Sequence, residues 1–203
     1  MSRLVWIELV ALLAAAFVPL PVPRVVPVFA VASAARWARG KSWAQLFGAP
    51  PGHAGAGFAI GTVALVLALV AGTPLVEAIT AQAVQWSEFP IVRGAIPQLF
   101  ALALVVAAGS AALELALRGW VVERVLELGR PGPTTAVLAV AAGGLAEACV
   151  TDGGVAVRAG AALFGVGLGI IYVGAGRRLT APLCARLGFA LGALLLQGAR
   201  LIG

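Results

Sequence analysis

Residues 56–76 run for a full membrane thickness without one ionisable side chain, and four later segments, 95–117, 133–150, 155–173 and 181–202, come close to doing the same. A helix needs about 20 mainly apolar residues to cross a bilayer, so this pattern predicts an all-α polytopic transmembrane bundle. The composition agrees: 62% of the 203 residues are hydrophobic and 11% are charged, with a mean hydropathy of +1.05. A soluble domain is about a quarter charged; this chain has too little polar surface to cover a water-exposed fold. Two further apolar stretches, 4–20 and 22–36, are shorter and separated by Pro19, Pro21 and Pro23. They are read either as a tight helical hairpin or as one kinked, partly re-entrant element. Counted as two, they bring the total to about seven spans. The N-terminus has a basic start and an apolar centre, but Glu8 interrupts it and no small-x-small cleavage site follows, so it is read as a retained span.

The net charge of +6 does not point to nucleic acid, which would call for basic residues gathered on one water-facing element. Here they punctuate the apolar runs. Arg36, Arg39 and Lys41 share one loop in this reading, Arg118, Arg124 and Arg130 a second, and Arg177 and Arg178 a third. The alternate loops hold Glu77, Glu88 and Asp152 with only Arg93. The positive-inside bias then places the N-terminus and the three basic loops in the cytoplasm and the C-terminus outside. A prokaryotic-type inner membrane is the expected location. Trp37, Trp43, Trp86 and Trp120 fall where interfacial anchors belong. Gly165/Gly169 and Gly188/Gly192 have the small-xxx-small spacing that lets helices approach closely, and packing within the bundle is preferred to an oligomer interface.

Little in the chain suggests chemistry. There is no glycine-rich phosphate loop, no Ser–His–Asp set and no CxxC. Cys149 and Cys184 stand singly in apolar stretches and read as small packing residues; neither a metal nor a cofactor is expected. Thr134 and Thr135, after Pro133, read as helix-start residues. His53, the single histidine, lies among glycines and prolines and is expected in a solvated loop. The informative residues are the ionisable ones at membrane depth, which are functional or paired by default: Glu8, Glu114, Glu147 and Arg186. Gln197 and Arg200 lie near the last boundary, within snorkelling reach. Glu114 and Arg118 are spaced i, i+4 with the acid first, which suits an ion pair on one helix face.

The order of these features resembles the CAAX-protease and bacteriocin-processing (CPBP) family of glutamate-dependent intramembrane proteases. The likeness covers roughly residues 100–195. "ELALRGW" resembles the end of that family's EExxxRG motif, and "GVGLGIIYVGAGRRLTAPLCAR" its GLxLGxxYxxTGxLxxP segment. "SWAQLFG" at 42–48 also looks like the family's cytoplasmic connection. The resemblance implies one integral membrane domain over 1–203, with N-terminal spans and a cytoplasmic loop in 1–55 and a CPBP-like core over 95–202.

The departures bear on function. The two-glutamate motif falls on Leu113 and Glu114, FxxxH on Gly143 and Glu147, and HxxxN on Arg186 and Ala190. The catalytic first glutamate and both histidines of the family are therefore absent. Glu114 could stand in for position 113 only after a turn of about 100° around the helix. An acid and a base now occupy the two histidine positions, so Glu147 and Arg186 are expected to pair between spans, with Glu114 and Arg118 nearby as a second pair. The reading is a non-catalytic scaffold, binding subunit or accessory factor that holds a helix or lipid tail of another membrane protein. The alternatives are a divergent endopeptidase using Glu114 and Glu147, and a small transporter or channel.

Overall fold

A computed structural model describes residues 2–17, 21–48, 50, 52–81 and 96–199. Its elements are α1 (Ser2–Phe17), α2 (Val25–Ala38), a short 3₁₀ turn (Trp43–Leu46), α3 (Gly52–Leu67), α4 (Thr73–Thr80), α5 (Ile96–Ala116), α6 (Glu123–Leu128), α7 (Pro133–Val150), α8 (Val155–Gly174) and α9 (Thr180–Gly198). No strand occurs among the described residues. A π-helical turn, Ala68–Gly72, joins α3 to α4, and a second, Leu117–Val122, joins α5 to α6. Five helices, Gly52–Ile79, Gln98–Leu128, Pro133–Val150, Val155–Gly174 and Thr180–Gly198, are long and apolar enough to cross a membrane. By length and composition the chain is a multi-pass helical membrane protein.

The expected 4–20 and 22–36 segments form two packed helices of 16 and 14 residues, short of a full span at about 20 residues. The expected 95–117 segment is not followed by a loop: its helix runs on through the π turn to Leu128. Arg118 and Arg124, read from sequence as loop charges, are thus helical and buried: Arg118 pairs with Glu147 of α7, and Arg124 with Glu127 one turn along its own helix and with the Trp120 ring. Arg36 likewise sits in the last turn of α2, buried, with its guanidinium donating to the Ser42 carbonyl oxygen at 2.8 and 3.2 Å. Trp120 is no interfacial anchor. It is fully buried between Arg39 and Arg124, which lie 5.5 and 4.1 Å from its ring centre. His53 lies in the first turn of α3, half-buried rather than in a loop. Trp86, Glu88, Arg93, Arg200 and Pro19 lie outside the described residues.

The three basic segments meet at one end of the bundle. Arg39, just past α2, binds Glu8 of α1 at 2.5 Å and Glu127 of α6 at 3.5 Å. Arg178 donates to the carbonyls of Gln45 and Phe47, and the Leu179 amide to that of Leu46. Glu123 of α6 holds Arg177 and accepts from the Tyr172 hydroxyl at 2.8 Å. These hydrogen bonds hold the Arg177 guanidinium above its ordinary range and offset its left-handed backbone (φ 64°), a conformation that costs a non-glycine residue about 1–3 kcal/mol. At the opposite end Arg24 pairs with Asp152 at 3.1 Å.

The glycine spacings act within the chain. Along the α3–α9 seam a Cβ on Gly188 would lie 2.5 Å from the Phe58 carbonyl oxygen, and one on Gly192 2.7 Å from Leu65. Along α7–α8, Gly169 faces Val140 and Gly165 faces Gly144.

Candidate functional site: a buried charge quartet

The four ionisable residues singled out in the later spans converge. Glu114 on α5, Arg118 in the π turn, Glu147 on α7 and Arg186 on α9 are all buried, Arg118 completely. Arg186 Nε donates to Glu114 Oε1 at 2.6 Å, and its Nη2 to both oxygens of Glu147 at 2.6 Å. Arg118 Nη1 donates to Glu147 Oε2 at 2.5 Å and lies 3.3 Å from Glu114 Oε1. The expected Glu147–Arg186 pair is therefore present. The expected Glu114–Arg118 pair is present as well, at 3.3 Å the longest contact in the set, but it does not stand apart, because Arg118 lies closer to Glu147. Rotamer reach explains this, since a long guanidinium leaving a π turn can pass its own helix face and reach the neighbouring one. The result is one ring of alternating charge bridging three helices.

The main chain makes room for the ring. Arg118 Nη2 donates to the Gly165 carbonyl at 2.8 Å. A Cβ at Gly165 would sit 2.9 Å from the Glu147 Cβ, 3.0 Å from the Gly144 Cα and 3.1 Å from Arg118 Nη2. The glycine read from sequence as a packing residue thus also shapes the polar centre. Gly165→Ala is expected to destabilise the detergent-solubilised protein by about 1–3 kcal/mol, the usual range for overpacking, measured by thermal unfolding. Gly167→Ala, two residues on and about 200° around the helix, with nothing within 4 Å of its Cβ, is expected to be neutral. Phe164 covers the other side, with its ring centre 5.5 Å from the Arg186 guanidinium.

Leu113 and Glu114 occupy different faces. Leu113 packs towards the apolar cluster of Leu12, Val28, Leu117 and Trp120, whereas Glu114 turns into the quartet. The face opposite Glu147 and Arg186 thus carries a carboxylate after all. At about 1.5 Å per residue, roughly 15 Å of helix separates Arg118 from Leu128, about 21 Å separates Glu147 from Pro133 and about 9 Å separates Arg186 from Thr180. The quartet thus lies well inside α7 and α9 and within the long α5–α6 helix rather than at a helix end.

No family model, curated protein or solved structure matches the chain. The function must be argued from the quartet itself. Two carboxylates and two guanidiniums neutralise one another in the buried interior of the bundle. Both Glu147 oxygens are engaged, as is Glu114 Oε1. Glu114 Oε2 and Arg118 Nε are buried without a hydrogen-bond partner. Among the described residues no group of three His, Cys, Asp or Glu side chains is arranged to hold a metal ion.

Sequence reasoning missed three features. Gly57 and Gly61, with the same i, i+4 spacing as the pairs it noted, were hidden in a run read only as apolar. The Glu123–Tyr172–Arg177 cluster gave no signal, because its members are far apart in the chain. Glu8 was singled out and Arg39 does lie in the turn past α2, but the pairing of the two was not foreseen.

Proposed function

We propose that the chain is a non-catalytic, CPBP-like integral membrane scaffold that holds a transmembrane helix or lipid tail of another membrane protein, as a binding subunit or accessory factor of a membrane complex. In this reading α1 and α2 complete a seven-span topology in a prokaryotic-type inner membrane, with the basic end cytoplasmic. The observation that carries the proposal is the charge balance of the quartet. Activating a water for attack on a carbonyl requires a base that is free to take a proton and within reach of substrate. Glu147 is clamped by two guanidiniums through both oxygens, and Glu114 is held by Arg186. Such a ring fixes the relative register of α5, α7 and α9, which is a structural task. A buried ion pair adds little net stability but makes any unpaired alternative expensive.

One observation favours a second reading, a divergent intramembrane endopeptidase. Glu114 Oε2 is a buried acceptor with no partner, the kind of atom a hydrolytic water could use. The two readings separate in one experiment on the full chain, purified in mild detergent and incubated with membrane-anchored peptide substrates. The scaffold reading expects no cleavage, and a stoichiometric membrane-protein partner retained through purification. Cleavage that disappears in Glu147→Gln would establish the protease instead.

A further inference from the structure

The two ends of the bundle are electrostatically unequal. At the end where α2, α6 and α8 finish, cations outnumber carboxylates, and Glu8, Glu123 and Glu127 are each already engaged by arginine or lysine. Glu123 and Glu127, one helical turn apart on α6, hold Arg177 and Lys41, whose side chains remain 51% and 46% exposed. Arg178, also exposed, has its Nη1 fixed by the Gln45 and Phe47 carbonyls at 2.9 and 3.0 Å. Arg130, just past α6, is exposed. At the same end Trp37 is 84% exposed, an amphipathic ring at the level where headgroups meet acyl chains. The opposite end shows no such excess among its described residues, where Arg24 lies on Asp152.

We infer that this basic end is a binding surface for anionic phospholipid headgroups, with Arg177 and Arg178 in the α8–α9 turn facing the phosphodiester and Lys41 and Arg130 adding charge around it. The chemistry follows from geometry. A guanidinium presents several N–H donors suited to phosphate oxygens. Glu123 takes the Nε–Nη2 edge of Arg177 and two carbonyls take Nη1 of Arg178, which leaves Nη1 of Arg177 and the Nε–Nη2 fork of Arg178 to meet phosphate. Two adjacent arginines that are already held, one by a carboxylate and one by two carbonyls, lose little side-chain entropy on binding. Arg177 is held towards α6 and Arg178 towards the 43–47 segment, so the two meet phosphodiester oxygens at separate points of the same end. The inference depends on the membrane location of the chain and not on whether the quartet is catalytic.

The test uses the full chain reconstituted into vesicles, with spin-labelled phosphatidylglycerol or phosphatidylcholine as probe and electron paramagnetic resonance reading the lipid held at the protein perimeter. Phosphatidylglycerol is expected to be preferred by about fivefold or more, the equivalent of one surface cation's attraction to an anionic membrane. The preference should collapse at about 0.5 M salt, where screening is short-ranged. It should also collapse in the Lys41→Gln/Arg130→Gln/Arg178→Gln variant, and persist in Arg158→Gln at the opposite end. Equal retention of both lipids overturns the inference, as does a preference indifferent to salt or to the triple substitution, or one equally lost in Arg158→Gln. Displacement by millimolar inorganic phosphate would identify a free-anion site and also overturn it. The salt arm needs no variant, so the test holds even where the triple substitution fails to fold.

Discussion

Glu147→Gln is expected to lower the stability of the detergent-solubilised protein by about 3–5 kcal/mol, the range for breaking a buried pair by removing one partner. Glu147 touches both guanidiniums within 2.6 Å, whereas Glu114 meets Arg186 at 2.6 Å and Arg118 only at 3.3 Å. A glutamine there can offer its amide oxygen to one of them, but its NH₂ then faces the other, and the centre keeps an uncompensated positive charge. Arg186→Gln should produce a loss of similar size with the sign reversed, because Glu114 and Glu147 would then share Arg118 alone. The Glu147→Gln/Arg186→Gln double variant is the decisive measurement. It leaves Glu114 and Arg118, a neutral i, i+4 pair 3.3 Å apart, and should recover at least half of either single loss. Thermal unfolding of the four proteins closes the cycle. If the two losses simply add, the charges are not coupled and the structural account of the quartet fails.

Arg39→Gln offers a useful contrast. Its partner Glu8 is 11% exposed and lies at the basic end, where solvent can rehydrate a freed carboxylate. The loss should therefore be well below that of Glu147→Gln.

How far the sequence led can be judged from particular residues. Apolar run length identified the five long helices within a few residues at most boundaries, because lipid exposure imposes a composition that periodicity cannot obscure. Glu147 and Arg186 were expected as a pair from their opposite signs, the cost of a lone charge within a span, and the proximity that the CPBP resemblance implies. What was not legible came from treating charge as a marker of chain reversal. Arg118 and Arg124 looked like the start of a loop, yet they lie within a helix that continues to Leu128. A charged side chain does not end a helix when it finds a partner, on a neighbouring helix as Glu147 is for Arg118, or one turn on as Glu127 is for Arg124; only the first kind is invisible in one dimension. Trp120 was misplaced for the same reason: boundary position was inferred from the adjacent arginine, whereas two arginines in fact enclose the indole. The π turn left no sequence signal. It shifts the phase of α6 against α5 by about one residue, or 100°, which helps explain why Glu123 reaches Tyr172 and Arg177 while Glu114 faces Arg186.

Gly61→Ala is expected to produce the second large loss, about 3 kcal/mol, at the top of the usual range for overpacking. The added Cβ would lie 1.8 Å from the Ala185 carbonyl oxygen and 2.6 Å from its carbon. Both are main-chain atoms of α9, so no side chain can swing aside. Gly57 meets Ala181 in the same way at 2.3 Å, and Gly188 meets Phe58 from the other direction at 2.5 Å. The α3–α9 seam is thus a backbone-to-backbone contact along several turns, and relieving one clash means separating the helices throughout. Lipid tails are as apolar as the side chains, so hydrophobic burial does not press α3 back onto α9; packing alone holds it there. Gly55→Ala, on the same helix with nothing within 4 Å, is the control, and should be neutral or stabilising by up to about 1 kcal/mol through the lower backbone entropy of alanine. Because α9 also carries Arg186, displacement of α3 should reach the quartet, so Gly61→Ala combined with Glu147→Gln should depart from additivity. A Gly61→Ala protein that melts normally but changes its oligomeric state would place the glycine seam between chains instead of within one.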